Sequence, residues 1–372
     1  MTFWSHTTAA PTWWHASGFA TLEPRFLRPE PPTLPPTNPE IRALPVDRVR
    51  GPATGPATAT ATATAATEIG VATRIAQFWR RCYTGSDWYL DATEAMVRTY
   101  LEDPAVILLT AFQPDGAIEG TVVATPLSPG TVTMSHGARL DRVYVIEGLC
   151  VSAAYRGRGL AGHLIALIDA TIVRLHGPTA LLWSRELNRV PYFSTAIQTA
   201  TYAFLHCANV RAWAAMPVVW PWDEVCALWT ANQWRFLGIV ASLPDNRRGT
   251  LCGWKVTVDG ADKLVIVSNT GRRTNAGLPI HEVLWCGWMP TSTILYAAAA
   301  GQDYRRVLEA IATQYEGLLF ASSTIQGGQA SKAWENEGIW KYGTSGIHAW
   351  YIYNYLPPAF GNCEIHALRE EL

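Results

Sequence analysis

The chain has no excess of either charge. Its 29 lysines and arginines nearly cancel 30 aspartates and glutamates, for a formal net charge of -1, so no overall field draws it to nucleic acid or to anionic lipid. Charged residues are scarce altogether, at 16% against 49% hydrophobic. That balance excludes a disordered chain and supplies a substantial core. No apolar run approaches the length that spans a bilayer, so an integral membrane protein is not expected. The start, MTFWSHTTAAPTWW, lacks the basic segment and apolar core of a signal peptide. No CxxC pair and no zinc-type spacing occurs among its seven cysteines. The odd, scattered thiols read as reduced side chains of a cytoplasmic protein, and no metal is expected. What is present in unusual number is tryptophan, 17 residues, which either fill the core or line a lipid-sized cavity.

The stretch with the clearest organisation runs from Val143 to His176. Val143-Tyr144-Val145-Ile146 and Leu149-Cys150-Val151 read as a buried strand. A basic glycine turn follows, Arg156-Gly157-Arg158-Gly159. Leu160, Leu164, Leu167, Ile168, Ile172 and Leu175 then recur at helical spacing. Strand, turn and helix start together make an anion site, because free backbone N–H groups and the positive end of the helix dipole converge there. Arg156 and Arg158 add full charges, and Gly157 and Gly159 let backbone approach a phosphate closely.

At 372 residues the chain holds either two domains or one large one. Residues 1–50, rich in proline and in Phe3, Trp4, Trp13 and Trp14, read as an extended arm docked on the body. Residues 51–66, GPATGPATATATATAA, read as a flexible insert or an edge strand. A helix is predicted from near Thr67, with Ile75, Phe78, Trp79 and Cys82 on one face. Asp91 and Glu94 suggest a capping box for a second helix carrying Met96, Val97, Tyr100 and Leu101. AVILLTAF, Asp115-Gly116 and AIEGTVVATPL form a hairpin signal. The Val143–His176 stretch and a strand at Thr179–Trp183 follow, giving a first unit over 67–210. Beyond a helix near Asp223–Asn232, residues 210–250 carry little pattern. From Leu251 the order partly repeats: strands at Trp254–Val258, Leu264–Ser268, His281–Trp288 and Thr293–Ala299, a helix at Gln302–Tyr315, and strands at Leu318–Ala321 and HAWYIYNYL. That is a second unit over 211–372, without an Arg/Gly loop.

The glycine turn resembles the acyl-CoA loop of the GNAT superfamily, Arg/Gln-x-x-Gly-x-Gly/Ala, here Arg156, Gly159 and Ala161. A narrower resemblance, to the N-myristoyltransferase family, extends to both ends of the chain. The family's Asn-Phe-Leu-Cys-Val strand reads here as Glu147-Gly148-Leu149-Cys150-Val151. Its N-terminal Phe-Trp is Phe3-Trp4, and its Glu-Pro-x-x-Leu-Pro segment is Glu30 to Pro35. Its late Tyr-Tyr-Leu-Tyr-Asn-Trp strand resembles Trp350 to Tyr355, after a glycine loop at Lys341–Gly346. The resemblance implies an α+β fold of two GNAT-like units fused around a continuous mixed sheet. It implies a monomeric enzyme that moves myristate from myristoyl-CoA to the N-terminal glycine amine of a peptide or nascent protein.

Residue roles follow from the same resemblance. Backbone N–H groups of Gly148 and Leu149 would form the oxyanion hole, each donor worth roughly 3 kcal/mol by comparison with sites where one was removed. Phe3, Trp4, Leu149, Cys150, Val151, Arg156, Gly157, Arg158, Gly159, Leu160 and Ala161 would hold the acyl-CoA, with Cys150 a buried thiol lending its backbone. Ser184 either hydrogen-bonds the incoming amine or caps a strand end. The C-terminal carboxylate of Leu372 is the candidate base, with Glu370 or Glu371 as substitutes in a shifted register. Tyr83 and Tyr192 either contact the acceptor or belong to the core. Ser345, beside Gly346, stands where the family has an acceptor-binding aspartate, and its acidic loop is shortened to Thr84-Gly85-Ser86-Asp87. Both changes imply a weaker preference for lysine in the acceptor. His163 reads as a packing or surface residue. Two other readings remain open: another GNAT enzyme that transfers acetyl, and a non-catalytic acyl-CoA-binding protein.

Overall fold

A computed structural model describes residues 60–85, 87–127, 142–186, 196–200, 202–210, 216–232, 249–288, 300–322 and 348–353. It also describes short segments at 25–26, 40–44, 132–134, 139–140, 239–240, 355–356 and 365–366, with single residues at 243 and 246. Strand Thr293–Ala299 of the sequence reading lies outside them, as do residues 1–24 and 51–59.

The chain is α+β, built on two seven-stranded mixed sheets, with β1 (Arg25–Phe26) paired to β19 (Tyr355–Leu356) and a four-stranded sheet of β20 (Ile365–His366), β13 (Ile239–Val240), β6 (Val132–Met134) and β7 (Arg139–Leu140) besides. The first contains β2 (Glu40–Leu44), β4 (Ile107–Phe112), β5 (Ile118–Pro126), β8 (Val143–Val151), β9 (Ala180–Glu186), β10 (Ala196–Ala200) and β18 (His348–Tyr353), in the order β10-β18-β9-β8-β5-β4-β2. The second runs β11 (Tyr202–His206), β17 (Leu318–Ser322), β16 (Pro279–Trp288), β15 (Ala261–Thr274), β14 (Leu251–Val258) and β12 (Val218–Trp220), with β3 (Trp88–Leu90) also paired to β15. The edge strands β10 and β11 are separated by one residue in the chain. Each half also lends the other a strand. β18, near the C-terminus, fills the first sheet between β10 and β9, while β11 closes the second sheet beside β17.

The halves repeat one plan, as the GNAT resemblance implies. Among the described residues each seven-stranded sheet has one parallel pair, β8–β9 and β16–β17. A helix connects each pair: α3 (Leu160–His176) in the first and α5 (Ala300–Ala312) in the second. Parallel neighbours need such a crossover, because no tight turn returns the chain in the same direction. Each also has a bulge on the strand that enters the parallel pair. Val123 and Thr121 of β5 oppose Glu147 and Cys150 of β8, and Val267 and Ile266 of β15 oppose Val283 and Trp285 of β16.

In the first half, α1 (Thr60–Cys82) and α2 (Glu94–Glu102) cover one face of the sheet, burying Ile75, Phe78, Trp79, Val97 and Tyr100. α3 covers the other, with Leu160, Leu164, Ile168 and Ile172 against Leu109, Val122 and Tyr144. In the second half, α5 buries Val307, Leu308 and Ile311 on one face. α4 (Trp222–Asn232) buries Val225 and Trp229 on the opposite one.

Two local expectations are corrected. α1 begins at Thr60, within the Ala/Thr run rather than at Thr67, since alanine is the best helix former and the segment leads into an amphipathic helix that a core holds. α2 is capped by Thr93, not Asp91. Thr93 stands directly before the first helical residue, and its Oγ accepts from Met96 N at 3.1 Å. Asp91 is two residues too early and is taken up elsewhere, accepting from Arg273 Nε at 2.9 Å. The hairpin holds as read, with Gly116 at φ +83° in its turn.

Candidate active site

β8 and β9 pair only at their beginnings. Val143, Tyr144 and Val145 match Ala180, Leu181 and Leu182, and there the register stops. β8 then continues to Val151 beside β5, while Trp183 to Glu186 of β9 pair with β18. The two parallel strands therefore part beyond Val145 and Leu182, leaving a gap in the ladder, a cleft in the hydrogen bonding between the second half of β8 and its neighbour.

The bulge lies on the edge of that cleft. Gly148 has φ +57°, a left-handed conformation that glycine adopts without the Cβ penalty of other residues. Gly148 and Leu149 have no register partner on β5 or β9. What holds their peptide is a buried relay. Trp79 Nε1 donates to Thr121 Oγ1 at 2.8 Å, and Thr121 Oγ1 donates to the Gly148 carbonyl at 3.0 Å. Trp79 and Thr121 are both fully buried, so the relay is shielded from water and strong. A trans peptide points its C=O and N–H in opposite directions. Turning the Gly148 carbonyl toward β5 thus aims the Leu149 N–H away from β5, into the cleft.

The basic turn stands at the end of the same strand. Ser152 is buried, its N–H bonded to Glu119 O at 2.9 Å and its hydroxyl to the Glu119 carboxylate. A short 3-10 turn, Ala153–Tyr155, leads to Arg156. Arg156 Nε donates to Val151 O at 3.3 Å, and the Arg158 guanidinium lies 5.4 Å from the Tyr155 ring centroid. Both arginines are exposed, and so are Gly157 and Gly159. Gly157 (φ +76°) and Gly159 (φ +85°) would have nothing within 4 Å of an added Cβ, so the turn is open on its outer side.

Gly159 caps α3 without any side-chain hydrogen bond, and the first turn of the helix has no acidic residue. The helical ladder begins with His163 N to Gly159 O, at 3.0 Å. The N–H groups of Leu160, Ala161 and Gly162 precede it and have no helical acceptor. Packing brings this end of the helix close to the strands. A Cβ on Gly120 would lie 2.9 Å from Leu164 Cδ1 and 3.2 Å from Leu160 Cδ2, so a side chain there would push both leucine tips aside.

Around the bulge the sheet's two faces differ. Leu149 and Trp183 are half-buried against the α3-side core. Cys150 faces α1 and is buried, with burial pushing its thiol up to about 12. Cys82, the last residue of α1, abuts it. On the same face Glu147 is half-buried, its carboxylate accepting from Thr125 Oγ1 at 2.6 Å. Tyr83 follows α1, packs on the same core and meets Trp88 edge-on, 5.8 Å between ring centroids. The turn after it is tight, with Gly85 N bonded to Trp88 O at 2.9 Å.

The structure thus gathers Gly148, Leu149, Cys150, Val151, Arg156, Gly157, Arg158, Gly159, Leu160 and Ala161 along one strand and the turn that follows it. Ser184 lies inside β9 opposite Trp350, not at a strand end, and two residues beyond the point where β8 and β9 part. Phe3, Trp4, Tyr192, Ser345, Gly346 and Leu372 lie outside the described residues. His163 is half-buried with Nδ1 unpartnered, and burial lowers its pKa. A cleft of about 380 Å³ between α2 and β15–β16, lined by Asp91, Met96, Asn269 and Arg273 among others, includes none of the predicted residues.

Of the relay residues, the sequence marks Trp79 only as part of a helix face and does not single out Thr121. The signal is a pair of threonines, Thr121 and Thr125, within the strand segment GTVVAT. Glu147 was noted only as part of a motif, although a carboxylate within VYVIEGLCV is the least expected side chain of that run.

No family model matches the chain, and no curated protein matches it by sequence. Solved structures do match in fold. A crystal structure of Saccharomyces cerevisiae N-myristoyltransferase with bound myristoyl-CoA superposes at a TM-score of 0.64 with 13% identity, covering 96% of this chain and 93% of that one. A second structure of the yeast enzyme, with myristoyl-CoA and inhibitors, gives a TM-score of 0.59 at 12% identity, covering 91% and 87%. The chain shares the fold of these N-myristoyltransferase structures.

Proposed function

We propose that this chain is an N-acyltransferase that moves a long-chain acyl group, myristate foremost, from acyl-CoA to the N-terminal glycine amine of a peptide. The observation that carries the reading is the alignment along β8. A backbone N–H aimed into a cleft and an exposed basic turn stand on one strand, with the turn at the strand's end. Acyl transfer from a thioester to an amine needs a donor where negative charge develops on the carbonyl oxygen. It also needs the acyl donor held in place while the amine approaches. Leu149 N–H serves the first need, with Gly148 N–H as a second donor. Arg156, Arg158 and the free N–H groups of Leu160, Ala161 and Gly162 serve the second by taking the pyrophosphate of coenzyme A.

The cleft between β8 and β9 receives the thioester, with Cys150 and Val151 lending backbone and Phe3-Trp4 covering the cofactor. Ser184 borders the cleft from β9 and orients the acceptor amine, and Tyr83, Tyr192, Ser345 and Gly346 line its path. The fold shared with an enzyme that binds myristoyl-CoA supports this reading. Gly148, where the family has phenylalanine, leaves more room beside the carbonyl and loosens chain-length selection.

The test is product mass. Incubation with myristoyl-CoA or acetyl-CoA and a glycine-initiated peptide yields a myristoylated peptide and free coenzyme A. An acetylated product in its place, or tight myristoyl-CoA binding without any product, overturns the reading.

A further inference from the structure

Two thiols meet beside the bulge, and neither takes part in the transfer described above. We propose that Cys82 and Cys150 are a redox-active pair, which hydrogen peroxide closes into a disulfide that displaces the Leu149 peptide. The bridge itself goes beyond the N-acyltransferase reading, and only its effect on catalysis rests on that reading.

The sulfurs are brought together by the relay and the strand register. Trp79 Nε1 donates to Thr121 Oγ1 at 2.8 Å, which seats the last turns of α1 over β5. Thr121 pairs in register with Cys150 of β8, and residues directly opposite on neighbouring strands share a face. Cys82 is the last residue of α1, three beyond Trp79 and so on the same side of the helix. Both cysteines belong to one core, Cys150 buried within it and Cys82 half-buried at its border. The two thiols act on each other directly, by charge and by hydrogen bond. The other described cysteines lie in the second half. Cys207, Cys252 and Cys286 sit in or against the core under α5, and Cys226 against that under α4.

Their surroundings give the two thiols different roles. Burial, and then the neighbouring Cys82, push the Cys150 thiol up to about 12, over the opposing pull of Arg156 and Arg81. Near neutrality it is protonated, and its burial shields it from an oxidant. Cys82, at the border of the core, is the sulfur that peroxide reaches first. Peroxide transfers one oxygen to it: the O–O bond breaks, water leaves and a sulfenic acid remains. Cys150 then gives up its proton and attacks the Cys82 sulfur. The S–S bond forms as the S–O bond breaks, and the proton leaves with the hydroxide as a second water. Two thiols are oxidised and one peroxide is reduced to two waters. The second step is the slow one, because a protonated thiol is a poor nucleophile.

A bridge draws its sulfurs to about 2 Å, closer than thiols in non-bonded contact, so the end of α1 and β8 shift toward each other. Cys150 follows Leu149 directly. One turn back along α1, Trp79 holds the Thr121 hydroxyl that fixes the Gly148 carbonyl. The peptide between Gly148 and Leu149 is thus moved through both of its supports. A thiol reductant reopens the pair by exchange.

The test treats the full-length chain with hydrogen peroxide and compares it with Cys82→Ser. Expected are the loss of two hydrogens in intact mass and a digest peptide pair linking Cys82 to Cys150. A dimedone-type reagent is expected to trap the Cys82 sulfenic acid before the bridge closes. Amide hydrogen exchange around Leu149 is expected to change on oxidation. Single-turnover myristoyl transfer is expected to fall on the order of 10²-fold, as for the loss of one carbonyl-binding donor. Dithiothreitol reverses both changes, and Cys82→Ser keeps wild-type transfer before and after peroxide. A treated chain without that linked pair, or with Cys82 joined to another cysteine, overturns the pairing. A linked pair that leaves the exchange or the transfer unchanged overturns the coupling. A reduced chain that makes no product overturns the N-acyltransferase reading, while mass and amide exchange still decide this inference.

Discussion

Thr121→Val removes one oxygen and almost no volume, yet it breaks both hydrogen bonds of the relay at once. Thr121 has no exposed surface, and neither has Trp79. Replacing the hydroxyl by a methyl leaves the Trp79 Nε1–H and the Gly148 carbonyl facing an apolar group. Each of the two unsatisfied buried groups costs about 1–3 kcal/mol, which gives about 2–6 kcal/mol of lost stability. The functional loss has a separate origin. With nothing holding the Gly148 carbonyl, the Leu149 N–H is no longer aimed into the cleft. Losing one such donor lowers kcat by about 10²- to 10³-fold.

Urea denaturation reads the first quantity, and single-turnover myristoyl transfer at saturating myristoyl-CoA reads the second. Affinity for coenzyme A itself is expected to stay within twofold or so, since the nucleotide grip lies at the other end of the strand. A Thr121→Val protein as stable as wild type, or one with unchanged kcat, refutes the argument that this relay sets the bulge.

Further expectations follow from the same geometry. Arg156→Ala and Arg158→Ala each weaken coenzyme A binding by on the order of tenfold, with a shallower salt dependence, as isothermal titration at several ionic strengths would show. The buried thiols make stability fall at high pH. Burial pushes Cys150 and Cys286 up from 9.0 to about 12, so each keeps its full contribution below pH 9 and loses it as pH rises toward 12. At pH 10.5 the loss is roughly 2 kcal/mol per thiol, and urea titrations of Cys286→Ala against wild type at pH 8 and 10.5 would expose it. Asp91→Asn weakens a link between the halves, but its pair with Arg273 is 36% and 41% exposed, so a thermal melt is expected to show a cost under about 1 kcal/mol. Replacing an acceptor lysine by alanine changes kcat/KM by no more than about fivefold, the range of an exposed ion pair.

The elements that read well from the sequence are those whose burial pattern is local. α3 shows its face through Leu160, Leu164, Ile168 and Ile172, and the β4–β5 hairpin announces itself through Asp115-Gly116 and two apolar flanks. The glycine turn was legible because positive φ, charge and a following helix leave marks at adjacent positions. The strand exchange was not. That β18 lies between β9 and β10 depends on contacts between residues about 150 or more apart, as in Trp350 opposite Ser184, and no local pattern encodes such a pairing. Asp91 was misread for a related reason. As a cap it fits a short motif, but its real partner, Arg273, comes 182 positions later. Glu147 and Thr121 were likewise visible only as exceptions to an apolar run, because their meaning lies in partners on neighbouring strands and helices.

The central claim concerns one peptide bond and one carbonyl oxygen. A crystal structure with a non-hydrolysable myristoyl-CoA analogue tests it most directly. The analogue's carbonyl oxygen is expected within about 2.7–3.1 Å of Leu149 N, with its pyrophosphate on the turn from Arg156 to Ala161. An analogue bound with that oxygen turned away from β8, or with its pyrophosphate elsewhere, contradicts it.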